Sequence, residues 1–430
     1  MGTDKKTYFE KKKEWSKVKD KLLDIYLKAY FPIIAHTKRP TIYFDFFAGA
    51  GYFSKKENDF LYLENDKNLD NLEFYGSPLI AMKNYTETLH LTKPFNYRVS
   101  FYFIEKIHFN LLNDTINNSK FKNLDHHIIE GSCTNQILKL NKNDDIIQKF
   151  KNYNVFCYID PFGIKNLHFK TLQTMKELNP FSLEFLINFN VHGLFRTARA
   201  CKGITRKEKD FDFLEEGLIE DDEDLSSKKG ISLLDSVFGS TKWQNIVIDF
   251  GDNKISGAET RKKLVSLYKN QIKINLKLKH VMALPVRFRE KGPCKYHMIF
   301  ATNNTKAACK MGDNMSKRNE FIDDYLSKGQ LTFDFIENID RNEANLLLEG
   351  RIKSILEQED KGIPYTLLKT NLYCKYGPMK NINEVTKKLE RKGFISVMRN
   401  KPITPTGKKA TYLDEINGNS AIISLPKNRK

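Results

Sequence analysis

The feature that most constrains this fold is a repeated alternation of apolar and amphipathic segments between residues 41 and 201. Short apolar runs rich in β-branched and aromatic residues alternate with segments whose apolar residues recur every three or four positions, which predicts strands and helices in turn. The predicted strands are 41–47, 99–107, 127–130, 155–160 and 183–191, and the predicted helices are 78–89, 109–117, 134–139, 170–178 and 196–201. This alternation predicts a mostly parallel sheet that is covered by helices on both faces.

A β-hairpin is expected to follow these units. Strands 280–288 and 294–301 are separated by residues 289–293, a connection that suits a hairpin but is too short for a parallel crossover. Five parallel strands closed by an antiparallel hairpin are the strand inventory of class I S-adenosylmethionine methyltransferases. The fold class predicted for residues 39–330 is therefore α/β, with a Rossmann-like sheet of that type.

Two segments interrupt or precede this α/β domain. Residues 1–38 are predicted to be helical from the spacing of their apolar residues, and Pro32 is expected to end the helix. Residues 202–257 form a long insertion before the hairpin, and a block of acidic residues occupies 215–224. We expect this insertion to be a mobile surface loop that lies away from any nucleic-acid path or acts as a gate on it.

A different kind of unit is predicted for residues 342–430. Three helices are followed by two short strands around a basic turn, which is the pattern of a winged helix. The predicted helices are 346–356, 365–373 and 383–392, and the predicted strands are 394–399 and 410–413. Helix 383–392 is the candidate recognition helix.

The charge balance indicates the class of partner. The 430-residue chain has 71 Lys and Arg against 53 Asp and Glu, a formal net charge of +18, and its six cysteines contain no C-x-x-C pair. A basic chain without zinc-knuckle spacing favours nucleic acid as the partner, and no metal site is predicted. The candidate nucleic-acid contacts are Arg196, Arg199 and Arg206 after the fifth strand, and Lys387, Lys388, Arg391, Lys392, Arg399 and Lys401 in the winged unit.

The sequence shows no targeting or membrane segment that we can recognise. The first residues contain no apolar stretch like that of a secretory signal, and no apolar run reaches the roughly 18–20 residues of a membrane span. A cytoplasmic protein that does not contact a membrane is therefore expected.

A glycine-rich turn after the first strand is the strongest chemical motif. The strand runs into Asp45, Phe47, Gly49 and Gly51 in the pattern D-x-F-x-G-x-G. Glycines at these positions permit a tight turn and let backbone approach a ligand that a Cβ atom would block. These four residues are candidate cofactor contacts, together with Ser77, which begins a helix whose N-terminus could receive a carboxylate.

Acidic residues follow two other strands. Glu105 ends the second strand, where a carboxylate could accept hydrogen bonds from both hydroxyls of a ribose. The fourth strand ends in Asp160, Pro161 and Phe162, which open a D-P-F-G motif. Such a set suits an enzyme that modifies a base amine, because the carboxylate and a backbone carbonyl accept from the NH₂ group while the ring stacks on a flipped-out base.

The ordered set of motifs resembles one bacterial family. D-F-F-A-G-A-G, G-S-P-L-I-A-M, F-I-E-K, Y-I-D-P-F-G and L-I-N-F occur in that order, as in the three-Cys-motif partner proteins. The resemblance implies a class I methyltransferase-like fold that uses S-adenosylmethionine, and a second protein partner that looks like a radical S-adenosylmethionine enzyme. D-P-F-G is also similar to the motif of tRNA guanine-N2 dimethyltransferases, which implies that Asp160 engages an amine. Many class I enzymes have an acid after strand three, whereas Ser132 stands in this stretch and would take its place in adenine binding.

Three hypotheses follow from these patterns. The leading one is an S-adenosylmethionine-dependent methyltransferase that acts on an exocyclic amine of a base in DNA or RNA and is positioned by the winged helix. The second is a catalytically silent, methyltransferase-like subunit that binds nucleic acid and presents it to a partner enzyme. In the third, the winged unit binds protein instead of nucleic acid.

Overall fold

The computed structural model describes residues 14–53, 74–91, 97–140, 144–161, 163–164, 166–206, 228–287, 294–317, 341–415 and 418–426. A seven-stranded sheet forms its centre. Its strands are β1 (Thr41–Asp45), β2 (Val99–Glu105), β3 (His126–Glu130), β4 (Asn154–Ile159), β5 (Ser182–Phe189), β6 (His280–Arg287) and β7 (Cys294–Thr302). They lie in the order β3-β2-β1-β4-β5-β7-β6.

The sheet is parallel except at one end. β1 to β5 pair in parallel, whereas β7 runs antiparallel to both β5 and β6. This is the mostly parallel sheet with an antiparallel hairpin that the sequence predicts, so a methyltransferase-like α/β fold is confirmed. Because five strands are parallel, their carboxyl ends meet at one edge of the sheet, which is where ligands bind in open α/β folds.

Helices cover both faces of the sheet, as expected. One face is covered by α1 (Glu14–Ala35), α2 (Ser77–Leu91), α3 (Phe109–Asn117) and, further along the chain, α11 (Thr305–Lys317). The other face is covered by α4 (Cys133–Leu140), α5 (Asp144–Phe150), α6 (Phe169–Glu177), α7 (Val191–Cys201), α8 (Lys228–Phe238), α9 (Trp243–Gly251) and α10 (Gly257–Asn275). Two separate apolar cores result, one on each side of the sheet.

The first helix does not end at Pro32, contrary to the prediction. α1 contains Pro32 and continues to Ala35. A proline inside a helix removes one backbone hydrogen bond. Here Phe31, Ile34 and Ala35 are buried, and the ring of Phe31 packs against Tyr85 of α2, so packing of the last turn offsets that loss.

The second half of the insertion is helical and is not the surface loop that the sequence predicts. It forms α8 and α9, and Phe238 and Trp243 are fully buried beneath the sheet. The indole Nε1 of Trp243 donates to the carboxylate of Asp235 at 2.8 Å. The apolar residues of α8 and α9 recur at helical spacing, and this pattern could have predicted the two helices. The loop prediction gave more weight to the acidic block nearby. That block, at 215–224, lies outside the described residues.

The last unit packs directly on the α/β domain. It comprises α12 (Arg341–Leu356), α13 (Tyr365–Tyr376), α14 (Ile382–Arg391), β8 (Ile363–Pro364), β9 (Ser396–Arg399) and β10 (Ala421–Ser424). The three strands form an antiparallel sheet in the order β8-β10-β9. Residues 410–413 were predicted as the second strand, but they are irregular, and residues 421–424 pair with β9 in their place. The register, which depends on contacts distant in sequence, could not be predicted from the local pattern.

A close contact fixes this unit on α11. A Cβ atom on Gly312 would lie 2.0 Å from the ring of Tyr373, whose hydroxyl donates to Asp313 at 2.7 Å. The ammonium of Lys369 lies 2.7 Å from Asp313 and 3.1 Å from Asp414. Glycine at position 312 thus allows α11 and α13 to approach.

We expect Gly312→Ala to destabilise the protein by roughly 1–3 kcal/mol, because the added methyl group overpacks the contact with Tyr373. The matched control is Gly350→Ala in α12, where nothing lies within 4 Å of the added atom. That control should stabilise by about 0.5–1 kcal/mol through helix propensity. Denaturant unfolding of both variants provides the measurement, and equal effects would contradict the packing argument.

A buried acid in β5 makes stability depend on pH. Glu184 is fully buried and accepts a hydrogen bond from the hydroxyl of Tyr26 on α1. Burial raises the pKa of Glu184 from 4.5 to about 7, although the bond from Tyr26 opposes this rise. The pKa of Glu184 is higher in the folded than in the unfolded protein. The contribution of Glu184 to the free energy of unfolding is therefore complete below its unfolded-state pKa and is lost as the pH rises through about 7.

We expect Glu184→Gln to remove this dependence, since a neutral amide oxygen can still accept from Tyr26. Between pH 4.5 and 7 the wild type should lose about 3 kcal/mol of unfolding free energy relative to the variant. Chemical denaturation across this range tests the difference. The control is Glu357→Gln at an exposed position, and a parallel pH profile for wild type and Glu184→Gln would refute the assignment.

Candidate functional site

Four polar side chains lie at the carboxyl edge of the sheet. Asp45 ends β1, Glu105 ends β2, Asp160 follows β4 directly, and Asn188 is the penultimate residue of β5. The central position of β1 between β2 and β4 brings the first three strand ends together. The sequence predicted this grouping for the three acids, and Asn188 is an addition from the structure.

The glycine turn is closely packed against the start of α2. Gly49 and Gly51 adopt φ values of 63° and 76°, which favour glycine. The amide of Gly76 donates to the carbonyl oxygen of Gly51 at 2.8 Å, and a Cβ atom on Gly76 would lie 2.9 Å from that oxygen. A Cβ atom on Gly51 would lie 2.9 Å from the side chain of Leu112. These glycines therefore serve backbone packing as well as any ligand.

Glu105 is occupied by backbone amides. Its Oε2 accepts from the amide of Gly49 at 2.8 Å, and its Oε1 accepts from the amides of Ile107 and His108 at 2.8 and 3.0 Å. A carboxylate offers about four lone-pair positions, so the donors in the described part of the chain leave one acceptor position, on Oε2. This arrangement leaves room for one hydroxyl of a ribose. The sequence had suggested that Glu105 accepts from both hydroxyls.

Asp45 is a buried acid with one unpaired oxygen. Its Oδ1 accepts from the amide of Phe47 at 3.2 Å, whereas its Oδ2 has no hydrogen-bond partner among the described residues. Burial raises the pKa of Asp45 from 3.8 to about 7; Ser77 and the amide of Phe47 oppose the rise, and the nearby acids Asp160 and Asp20 add to it. Burial thus makes the Asp45 carboxyl much easier to protonate near neutral pH than an exposed aspartate.

Asp160 has two partners that the sequence did not suggest. The ammonium of Lys19 on α1 donates to its Oδ1 at 2.7 Å and to its Oδ2 at 2.5 Å, and the amide Nδ2 of Asn188 donates to Oδ1 at 2.7 Å. The Asp160 side chain is 19% exposed and that of Lys19 is 10% exposed. The carboxylate is therefore the more accessible member of the ion pair.

A signal for both partners is present in the sequence. Lys19 is three and four residues before Leu22 and Leu23, so it falls on the apolar stripe of α1, where a charged residue is out of place. Asn188 interrupts the apolar run of β5 near its carboxyl end. A polar residue within an apolar pattern is the feature that could have identified them.

Other predicted site residues are placed as follows. Ser132 is half-buried between β3 and α4, and its carbonyl accepts from the amide of Gln136. Pro161 is half-buried beside Asp160, and Phe162 lies outside the described residues. The cofactor role of Ser132 and the roles of Pro161 and Phe162 remain predictions.

The arginines after β5 have partners within the protein. Arg206 donates to the carbonyl oxygens of Phe250 and Ile255, and its guanidinium lies 4.3 Å from the centre of the Phe250 ring. Arg199 donates in turn to the carbonyl oxygen of Arg206. These contacts tie the segment after α7 to α9, so the two arginines have a structural function. Their contact with nucleic acid, and that of the half-buried Arg196, remains a prediction.

The basic residues of the last unit differ in exposure. Arg399 is buried and forms a bidentate pair with Glu390 at 2.7 and 2.8 Å, and Lys388 pairs with Glu349 at 2.8 Å. Both are therefore at least partly structural. Lys387 is half-buried, and the exposed predicted residues are Arg391, Lys392 and Lys401.

Comparisons with known proteins give only distant likenesses. No family model and no curated protein matches the chain. A crystal structure of a Legionella pneumophila protein of the DUF519 family is 11% identical with a TM-score of 0.37, covering 73% of this chain and 94% of that chain. A loganic acid methyltransferase with SAH is 10% identical with a TM-score of 0.27, covering 70% of this chain and 97% of that chain.

These TM-scores are too low to support a statement about activity, so the methyltransferase-like fold rests on the strand order described above. The resemblance to three-Cys-motif partner proteins rests on the sequence motifs alone. Among the described residues, none of the helices has the length and apolar character needed to cross a membrane.

We expect Glu105→Gln to destabilise the protein by roughly 2–3 kcal/mol, because an amide group cannot accept from all three backbone N–H donors. The matched control is Glu130→Gln, which lies opposite Glu105 in the register of β2 and β3 and is exposed. Denaturant unfolding measures both variants. A loss no larger than that of the control would show that the three bonds contribute little.

Proposed function

We propose that this protein is an S-adenosylmethionine-dependent methyltransferase that acts on an exocyclic amine of a nucleic-acid base. The observation that carries the proposal is the Asp160 carboxylate, held by Lys19 and Asn188 at the carboxyl edge of a methyltransferase-like sheet and still partly exposed. An acceptor fixed in that place is suited to orient an amine N–H beside a bound cofactor.

The residues at this edge fit a cationic cofactor. Asp20 and Asp160 both act electrostatically on Asp45, and Asp45 has a buried oxygen without a partner among the described residues. An ammonium group is the complement of such a carboxyl, and the methionine part of S-adenosylmethionine carries one. Asp45 would hold that ammonium, and the remaining acceptor position of Glu105 would hold one ribose hydroxyl.

The chemistry would need little from the protein beyond placement. When bound, S-adenosylmethionine supplies an electrophilic methyl group on a sulfonium. The amine nitrogen would accept this methyl group, sulfur would keep the electron pair of the broken carbon–sulfur bond, and one proton would leave the nitrogen for water. Asp160 would orient the amine, and proximity would supply most of the rate enhancement. Phe162 would stack on the base, as the motif predicts.

The last unit supplies the argument for nucleic acid. Its three helices and antiparallel sheet are compatible with the winged helix that the sequence predicts, in which α14 would be the recognition helix. Arg391, Lys392 and Lys401 are exposed on and beside this helix, and the whole chain has a net charge of +18. Exposed cations of this kind favour contact with phosphates.

A silent nucleic-acid-binding subunit is the second candidate. The observation that favours it is the occupation of two of the three predicted site carboxylates, Glu105 and Asp160, by the protein's own donors. Such a subunit would present nucleic acid to a separate enzyme, and the family resemblance suggests a three-Cys-motif, radical S-adenosylmethionine-like partner.

We expect calorimetry to show that the wild type binds S-adenosylmethionine. Asp160→Ala should keep this binding, while its rate of methyl transfer should fall by about a hundredfold or more. Tritium incorporation into total RNA and genomic DNA measures the transfer. Asp360→Ala, at an exposed position, is the control.

Two results would decide against the enzyme. Absence of binding at millimolar cofactor would leave the silent subunit as the better hypothesis. Transfer that persists in Asp160→Ala would remove the assigned role of Asp160.

A further inference from the structure

Asn188 has a buried acceptor that the fold does not use. The side chain is 8% exposed, and its Nδ2 donates to Asp160 Oδ1 at 2.7 Å, but its Oδ1 has no hydrogen-bond partner within the described ranges. Reversal of the amide would place Oδ1 against the carboxylate, so Asp160 fixes the orientation. A buried acceptor without a donor costs roughly 1–3 kcal/mol, and such a group calls for an explanation.

Asp160 has a limited number of positions left for a substrate. Oδ1 accepts from both Lys19 and Asn188, and Oδ2 accepts from Lys19. Of about four lone-pair positions, the donors among the described residues leave one, on Oδ2. Together with the Oδ1 of Asn188, the site therefore offers two neighbouring acceptors, one directly after β4 and one near the end of β5.

Lys19 is a fixed part of this arrangement. One turn further along α1, Leu22 and Leu23 are fully buried, and Asp24 accepts from Asn84 of α2 at 3.1 Å. The backbone of α1 at Lys19 is therefore firmly docked, and the Lys19 side chain is itself only 10% exposed. A substrate that binds to this arrangement has the positive charge of Lys19 beside Asp160.

We propose that Asn188 is a further catalytic residue, which accepts one N–H of a neutral, planar amine while Asp160 Oδ2 accepts the other. The inference rests on the proposed methyl transfer and names the substrate class. An amino group of adenine, cytosine or guanine has two N–H donors and no charge. An alkylammonium such as a lysine side chain would instead meet the charge of Lys19. Lys19 is a positioning residue, because it acts through Asp160.

The test compares oligonucleotides that differ by one amino group. Oligouridine of about 12 nucleotides serves as the reference, and the probes have one central adenosine, cytidine or guanosine, with a central inosine as the amine-free purine. Binding is measured by fluorescence anisotropy with the full chain and S-adenosylhomocysteine. We expect the wild type to bind at least one amine-bearing probe about tenfold more tightly than the reference, since two hydrogen bonds are gained.

The variants assign this preference to individual residues. Asn188→Ala, or Asn188→Leu if the first variant fails to fold, should bring the preference close to unity and leave affinity for oligouridine unchanged. Lys19→Met should reduce the preference for amine-bearing probes, and Lys19→Arg, which keeps the positive charge, should restore it. A lysine with only a structural role would not change this preference. The control Lys387→Met should weaken all probes alike.

The outcomes separate the two proposals. Equal binding of every probe by the wild type, or a preference that survives loss of the Asn188 amide, overturns this inference while the proposed nucleic-acid function stands. Absence of binding to all oligonucleotides, oligouridine included, refutes the proposed function and this inference with it.

Discussion

The ion pair between Lys19 and Asp160 links the first helix to the carboxyl edge of the sheet, where the candidate site lies. α1 packs its aromatic residues on one face, where Tyr26 stacks on Phe156 of β4 and bonds to Glu184 of β5. The same helix then reaches the strand ends through Lys19. The geometry of the candidate site therefore depends on a helix that precedes the α/β domain, because α1 together with Asn188 of β5 holds Asp160 in its present orientation.

Much of the architecture was predictable because local periodicity determines it. The sequence predicted β1 to β7 within a few residues, and the bounds of α3 were predicted without error. The errors occurred where long-range packing outweighs a local signal. Pro32 lies within α1 because its last turn is buried, and α8 and α9 are ordered because Trp243 lies beneath the sheet.

The candidate site was predicted in part, and for a similar reason. Motifs next to strand ends identified Asp45, Glu105 and Asp160, since the carboxyl ends of parallel strands must meet. The partners of these acids come from other elements, and their assignment needs the tertiary structure. Net charge likewise did not distinguish Arg399, which is buried in a pair with Glu390, from the exposed Lys401.

The Asp45 carboxyl, whose Oδ2 has no hydrogen-bond partner among the described residues, has a consequence for the thermodynamics of ligand binding. A group whose pKa is raised to about 7 is partly protonated at neutral pH. A cation placed beside it favours the ionised form, so binding of a cation would expel a fraction of a proton into the buffer. The heat of binding would then include the ionisation enthalpy of the buffer and would differ between phosphate and Tris, even though every contact in the site stayed the same.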